Sequence, residues 1–398
     1  YLISAPGYYC IPLVYGNAIK NGTTNTKSYQ TSNSGPYILQ HFKDHAGVDI
    51  ASPYINIQNA SDPATQASIV WTDQSGIIEA SSLGIEDVGT NAFVHFRVPQ
   101  DKIKNGNAVI AVKNASGTVM WSWHLWFALS DALNTVTCTN FQDHKYKFTQ
   151  ETLGWKYTTW SGTTYSAPRK VRVKVEQTAG NGGVKQSAYI TITQNPGGNA
   201  RQGYSTFYQF GRKDAFPGTD TTPDGSFTKN VGDNMSIQNG IRHPETFYTY
   251  GASWYNVYNQ YNLWSMDNTV TGYNDNAVVK TIYDPCPAGF HMPASNAFTG
   301  FTTNGQNGGT MNVSGAWDWG WNFNNKITSP DATVYFPASG YRNSGDGSLR
   351  NVGSFGFCWS AVPLSTIYGC SLSFVSGGVA PQNSYRRSGG FVVRPVSE

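Results

Sequence analysis

Residues 108–126, AVIAVKNASGTVMWSWHLW, constrain the fold more than any other stretch. Two apolar-alternating runs flank the turn formers Asn114–Gly117, and a two-residue period broken by such a turn predicts a β-hairpin. The same logic applies to KVRVKVEQT and YITITQN further along. There Val171, Val173 and Val175 share one face and Arg172, Lys174 and Glu176 the other, so this second hairpin has one wet face. Helical periodicity is scarce. Only PASNAFTGF, residues 293–301, opens a short helix, with Ser295 as its N-cap. The expected fold is mainly β.

Composition agrees with that expectation. Of 398 residues 13% are charged, 14% are aromatic and 42 are Gly, a turn-rich mix common in secreted and surface-displayed proteins. The formal net charge is +3, and the nearest thing to a basic tract is Arg386-Arg387. Nucleic-acid binding, which needs clustered cations, is therefore not expected. No run approaches the roughly 18 apolar residues of a membrane helix. The first residue is Tyr1 rather than Met, from which we expect either that a leader has been removed or that the sequence is cut from a longer chain.

Three regions are predicted. Residues 1–127 alternate short apolar runs with Gly and Pro breaks and read as an N-terminal β-sandwich. Residues 128–198 read as a small Ig-like β domain built on the second hairpin. NPGGNARQG, residues 195–203, marks the boundary to 199–398, where Asn/Gly loops alternate with short aromatic strands.

Chemical motifs are few. HFKDH places His41 and His45 at helical i, i+4 spacing without the glutamate of HExxH, and reads as a short surface helix with solvated histidines. The five Cys include no CxxC. Cys358 and Cys370 flank a hairpin-like stretch and either pair across it or stay as buried free thiols. Asp284, Asp318, Asp331, Asp346 and Glu245 have no context that pairs two of them across a glycosidic bond. No nucleophile elbow or phosphate loop occurs. We expect no enzyme activity, no metal and no cofactor.

In region 199–398 five blocks occur in order: STFYQFGRKDAFPG (205–218), TIYDPCPAGFHMP (281–293), VYFPASGYRNSGDG (334–347), GFCWSAV (356–362) and SGGFVVRPV (388–396). Their order and spacing resemble the FISUMP-type, or major paralogous, domain of Bacteroides-like surface proteins. Phe210 stands where that pattern has Trp, and Phe290-His291-Met292 replaces its Trp-Arg-Leu. The opening APGYYCIPLVYGNAIKNG resembles the start of fimbrillin-family proteins. The resemblance implies a loop-rich α+β domain, similar to C-type lectins, after the β-sandwich regions. It also implies display at the bacterial cell surface, on the outer membrane or in fimbriae. The calcium-binding Trp-Asn-Asp of such lectins is incomplete here, because Phe323 follows Trp321-Asn322.

Two aromatic concentrations remain as binding candidates. In GAWDWGWNF, residues 315–323, Trp317, Trp319, Trp321 and Phe323 fall on one face of an extended strand, with Asp318, Gly320 and Asn322 opposite. Two or three of these rings are expected to hold the strand down while one near an end reaches solvent. Residues 246–264 carry Trp254, Tyr255, Tyr258 and Tyr261 among amides, and Tyr suits recognition surfaces. Arg342, Arg386 and Arg387 add cations for acidic sugars or proteins. The expected ligand-binding set is therefore Trp254, Tyr255, Tyr258, Tyr261, Asp318, Trp319, Asn322, Arg342, Arg386 and Arg387. The leading functional expectation is a non-catalytic, pilus-tip-type adhesin that recognises glycan or a host or bacterial surface protein. A structural pilus subunit polymerising by strand donation and an accessory lipoprotein of an outer-membrane barrel transporter are the alternatives.

Overall fold

The computed structural model describes residues 1–88, 91–159, 167–178, 182–194, 202–230, 234–251, 254, 261–267 and 270–398. The hairpin predicted at 108–126 forms from strands Gly106–Lys113 and Val119–Phe127. Val109 faces His124 and Ala111 faces Ser122 across it. Asn114 closes the turn by donating its N–H to the Thr118 carbonyl, while Gly117 N–H returns to the Asn114 carbonyl. Gln66–Thr72 adds on one side, Leu2–Ile3 adds in parallel on the other, and Asp224–Gly225 closes the edge beyond Gln66–Thr72. A three-stranded sheet of Gly7–Pro12, Asn91–Val98 and Gly84–Val88 shares its core, where Ile11, Val94 and Phe96 join Val109, Ile110 and Trp126. The fold is mainly β and sandwich-like here.

Every residue of Val119–Phe127 is buried, although a strand with one wet face would alternate. Chain from the C-terminal half accounts for this. Trp71 Nε1 donates to the Ala215 carbonyl at 3.0 Å, and Tyr208 bonds His124 Nδ1 at 2.7 Å. The Ser122 hydroxyl donates to Asp214 Oδ1 at 2.6 Å, and Lys213 Nζ reaches both Ser122 and Asp214. Asp214 Oδ2 also accepts from Arg212 at 3.2 Å. The residues of FGRKD thus form a buried polar latch on the inner sheet.

Contacts divide the chain into two units, 1–156 with 204–398, and 157–203. This differs from boundaries at 127/128 and 198/199. Trp71 and Trp126 share one core with Tyr208, Trp264, Trp359 and Phe391. Residues 128–156 are likewise part of the larger unit. Thr135–Thr139 and Lys145–Thr149 lie in a four-stranded sheet with Phe290–His291 and Val396–Ser397, where Phe148 pairs with Val396. In the second unit the predicted hairpin forms from Arg169–Glu176 and Ser187–Gln194, with Val171 opposite Ile192 and Val173 opposite Ile190. Val171 and Ile192 are exposed, so no second layer of an Ig-like sandwich covers them among the described residues.

A second aromatic core organises the C-terminal half. Phe301 stacks on Phe323 at 4.2 Å, and Phe148, Phe298 and Phe336 close around them. The helix expected at 293–301 is only a 3-10 turn, Thr299–Phe301. Ser295 instead pins a loop, donating to the Gly272 carbonyl and accepting from Asn274 N–H. The α-helix Ile237–Arg242 is capped by Ser236, whose side chain accepts from Asn239 N–H at 3.0 Å. HFKDH is not helical: His41 is exposed in an isolated bridge to Gln30, whereas His45 is buried.

All five cysteines are free thiols, which removes the pairing of Cys358 with Cys370. The two lie on neighbouring strands, Gly356–Pro363 and Tyr368–Val375, but Leu372 stands opposite Cys358. Cys370 is thus on the diagonal, where Cα atoms sit about 7–8 Å apart, beyond disulfide reach. Burial pushes both thiols up to about 12, so neither supplies the thiolate that reacts. Titration with dithiobisnitrobenzoate should find one accessible thiol in the native chain, the exposed Cys10, and five after denaturation without reductant. A denatured count of three would restore a disulfide.

Candidate binding face

The alternation in GAWDWGWNF ends at Trp319. Only Gly320–Asn324 is strand. Trp321 and Phe323 face the core, and half-buried Trp317 meets the Trp321 ring edge-on at 5.5 Å. Trp319 has φ of 54°, a left-handed conformation that a bulky residue rarely adopts. That single residue breaks the two-residue period and turns its indole outward, leaving it 52% exposed. Its backbone is held from both sides. The Trp319 carbonyl accepts from Ala338 N–H at 2.8 Å, and the preceding Asp318 carbonyl accepts from the Tyr335 hydroxyl at 2.8 Å.

The indole rests on Gly353. A Cβ there would stand 2.7 Å from an indole carbon, and φ of 82° at Gly353 independently favours glycine. Gly353 belongs to a turn in which Ser354 and Phe355 N–H groups both donate to the Asn351 carbonyl. This turn lifts Val352 and Phe355 into solvent beside the indole. Phe355 is not loose. It stacks on Phe357 at 6.0 Å, Phe357 on Phe391 at 4.6 Å and Phe391 on buried Trp359 at 4.3 Å. A column of rings therefore runs from the core to the surface.

Half-buried Tyr341 and Tyr385 flank this column, their rings 5.7 Å apart, and Tyr341 meets Phe357 at 5.1 Å. Beyond them Arg386 lies 4.0 Å over the ring of exposed Tyr250. Across from Tyr341, Arg350 pairs with Asp346 at 2.7 Å. Hydrogen bonds from Ser348, then from Arg350, hold the Asp346 carboxyl down at about 2, so it stays ionised at neutral pH. The face combines flat rings with fixed charges and amide groups.

The expected binding residues separate accordingly. Asp318 and Trp319 are exposed on this face, and Asn322 and Arg386 are half-buried. Trp254 is buried, with its indole N–H on the Tyr248 carbonyl at 3.0 Å. Arg342 is fully buried and donates to the Pro217, Thr219 and Gly347 carbonyls and to Asp220. Arg387 is buried and donates to the Tyr261 and Ser365 carbonyls, and desolvation pushes its pKa down to about 10. These three are therefore framework rather than binding surface, because each directs indole or guanidinium N–H groups to backbone carbonyls of this chain, Arg342 also to the Asp220 carboxylate. Tyr261 is half-buried, and its carbonyl accepts from Arg387. Tyr255 and Tyr258 lie outside the described residues. Val352, Phe355, Tyr341 and Tyr385 were not expected. Their signal was an aromatic pair, Phe355 and Phe357, set in a Gly-rich turn.

Among the described residues no cluster of three His, Cys, Asp or Glu side chains is arranged to hold a metal, and no helix is long and apolar enough to cross a membrane. A family model described as a domain of unknown function, DUF8237, matches residues 319–396, a span that opens at Trp319 and contains Tyr341, Gly353, Phe355 and Tyr385. No curated protein and no solved structure matches the chain.

Proposed function

We infer that the chain is a non-catalytic recognition protein of the bacterial cell surface, a pilus-tip-type adhesin. Its C-terminal half, read as C-type-lectin-like, takes glycan or a surface protein on the face around Trp319. The observation that carries this reading is the outward, left-handed Trp319 seated on Gly353. A large apolar ring held in a strained backbone at the surface is a cost that folding alone does not require. Side chains of this kind, rigid and bearing one hydrogen-bonding edge, dominate recognition surfaces. The low charge and the abundance of Tyr, Trp and amide side chains support the same reading. Glycan arrays and mucin-coated surfaces probed with the full chain test it. Retention on a defined glycan or surface-protein class is expected, and absence of retention on every glycan and matrix protein would remove the recognition role.

A further inference from the structure

A second site lies away from the aromatic face. A groove of about 940 Å³ opens between the Asn114–Gly117 turn, the segment around His45 and the end of helix Ile237–Arg242. Its volume falls in the range of ligand pockets, roughly 300–1,000 Å³. Among the described residues no Trp, Tyr or Phe lines it, so these offer no ring for stacking of the kind the Trp319 face provides. Its lining is polar and of both signs: Lys113 and Arg242 against Asp62 and Glu245.

Two buried polar atoms in this lining have no partner. His45 is 5% exposed and its Nδ1 makes no hydrogen bond; Arg242 is half-buried, and its Nε makes none either. The two side chains lie close enough for their charges to interact, with Asp44 and Asp62 nearby. An incompletely paired guanidinium and an incompletely paired imidazole in the lining of one groove are donors that a bound acceptor can engage. Asp62 and Glu245 each engage one carboxylate oxygen within the chain, Oδ2 with Asn114 at 2.6 Å and Oε1 with His243 at 3.2 Å.

We propose that this groove binds a sugar carrying a single carboxylate, the carboxylate seated on Arg242 and His45 and the hydroxyls donating to Asp62 and Glu245. The charge pattern selects this class over its neighbours. A neutral sugar satisfies the acceptors and leaves Arg242 unmatched. An acidic peptide or polysulfate brings several negative charges against Asp62 and Glu245, a repulsion that one carboxylate avoids.

Saturation-transfer NMR and calorimetry on the full chain provide the test, with methyl glucuronide, a methyl sialoside, methyl glucoside and tetraglutamate as probes. One or both acidic sugars should bind at least about tenfold more tightly than the glucoside, the loss expected from one charge-assisted contact. Arg242→Gln should weaken acidic-sugar binding about tenfold and leave the glucoside unchanged. Lys113→Gln, at the other cation of the lining, serves as the second variant and should give a smaller loss. Thermal melting of both variants separates loss of contact from loss of fold. Trp319→Gly should leave this binding intact, which keeps it distinct from recognition on the aromatic face. Equal binding of glucuronide and glucoside, tighter binding of tetraglutamate, no binding of any acidic sugar, or an unaffected, folded Arg242→Gln variant would each overturn the assignment.

Discussion

Asp214→Ala is expected to destabilise the chain by about 3–5 kcal/mol, the range for removing one partner of a buried ion pair. Asp214 is 3% exposed and accepts from Lys213, Ser122 and Arg212. Arg212 has other acceptors, the Gln209 side chain and the carbonyls of Thr246, Gly240 and His243. Lys213 does not share that abundance. Among the described residues it has, beyond Asp214, only the Ser122 hydroxyl and the Trp121 ring, 4.7 Å away. Desolvation lowers its pKa first, and Asp214 opposes that shift. Without the carboxylate a buried ammonium remains uncompensated. Urea unfolding followed by Trp fluorescence should show the midpoint fall in Asp214→Ala and recover most of the way in a Lys213→Met, Asp214→Ala double variant. A double variant no better than Asp214→Ala would mean that the latch acts through packing rather than charge.

That latch also marks the limit of what the sequence discloses. Both hairpins were legible, because a two-residue period and a turn are local properties. The union of the first sandwich with the C-terminal half was not legible. Thr72 pairs with Asp224 and Phe148 with Val396, and such distant pairings leave no mark on the periodicity of either segment. The burial of Arg342 and Arg387 escaped for a related reason. Charged residues usually remain at the surface, and only the folded loops supply the carbonyls that make burial tolerable here. In GAWDWGWNF the division between core and surface rings was foreseeable. Trp319 stood in the expected binding set, but the one positive φ that turns its ring outward leaves no mark on the sequence pattern.

Trp319→Gly should separate stability from recognition. Glycine adopts φ near 54° without the steric penalty borne by tryptophan. Relief of that strain is worth about 1–2 kcal/mol, offset in part by loss of the indole contact with Gly353. Because the ring is half exposed, its own burial contributes little, and the folded state should be no less stable than the parent and up to about 1 kcal/mol more so. Binding to the glycan or surface protein retained by the parent should fall about thirtyfold or more, as for a central Trp worth about 2 kcal/mol in an interface. Trp319→Phe keeps a flat ring in the strained backbone and should retain part of the affinity without the gain in stability. Melting curves and retention assays on the two variants read both quantities. A Trp319→Gly chain that loses more than about 2 kcal/mol would make the indole a packing anchor, and one that binds as the parent does would place recognition elsewhere. On the proposed reading the strain at this solvent-facing ring serves a bound partner, so a gain in stability coupled to a loss of binding is the outcome that reading predicts for Trp319→Gly.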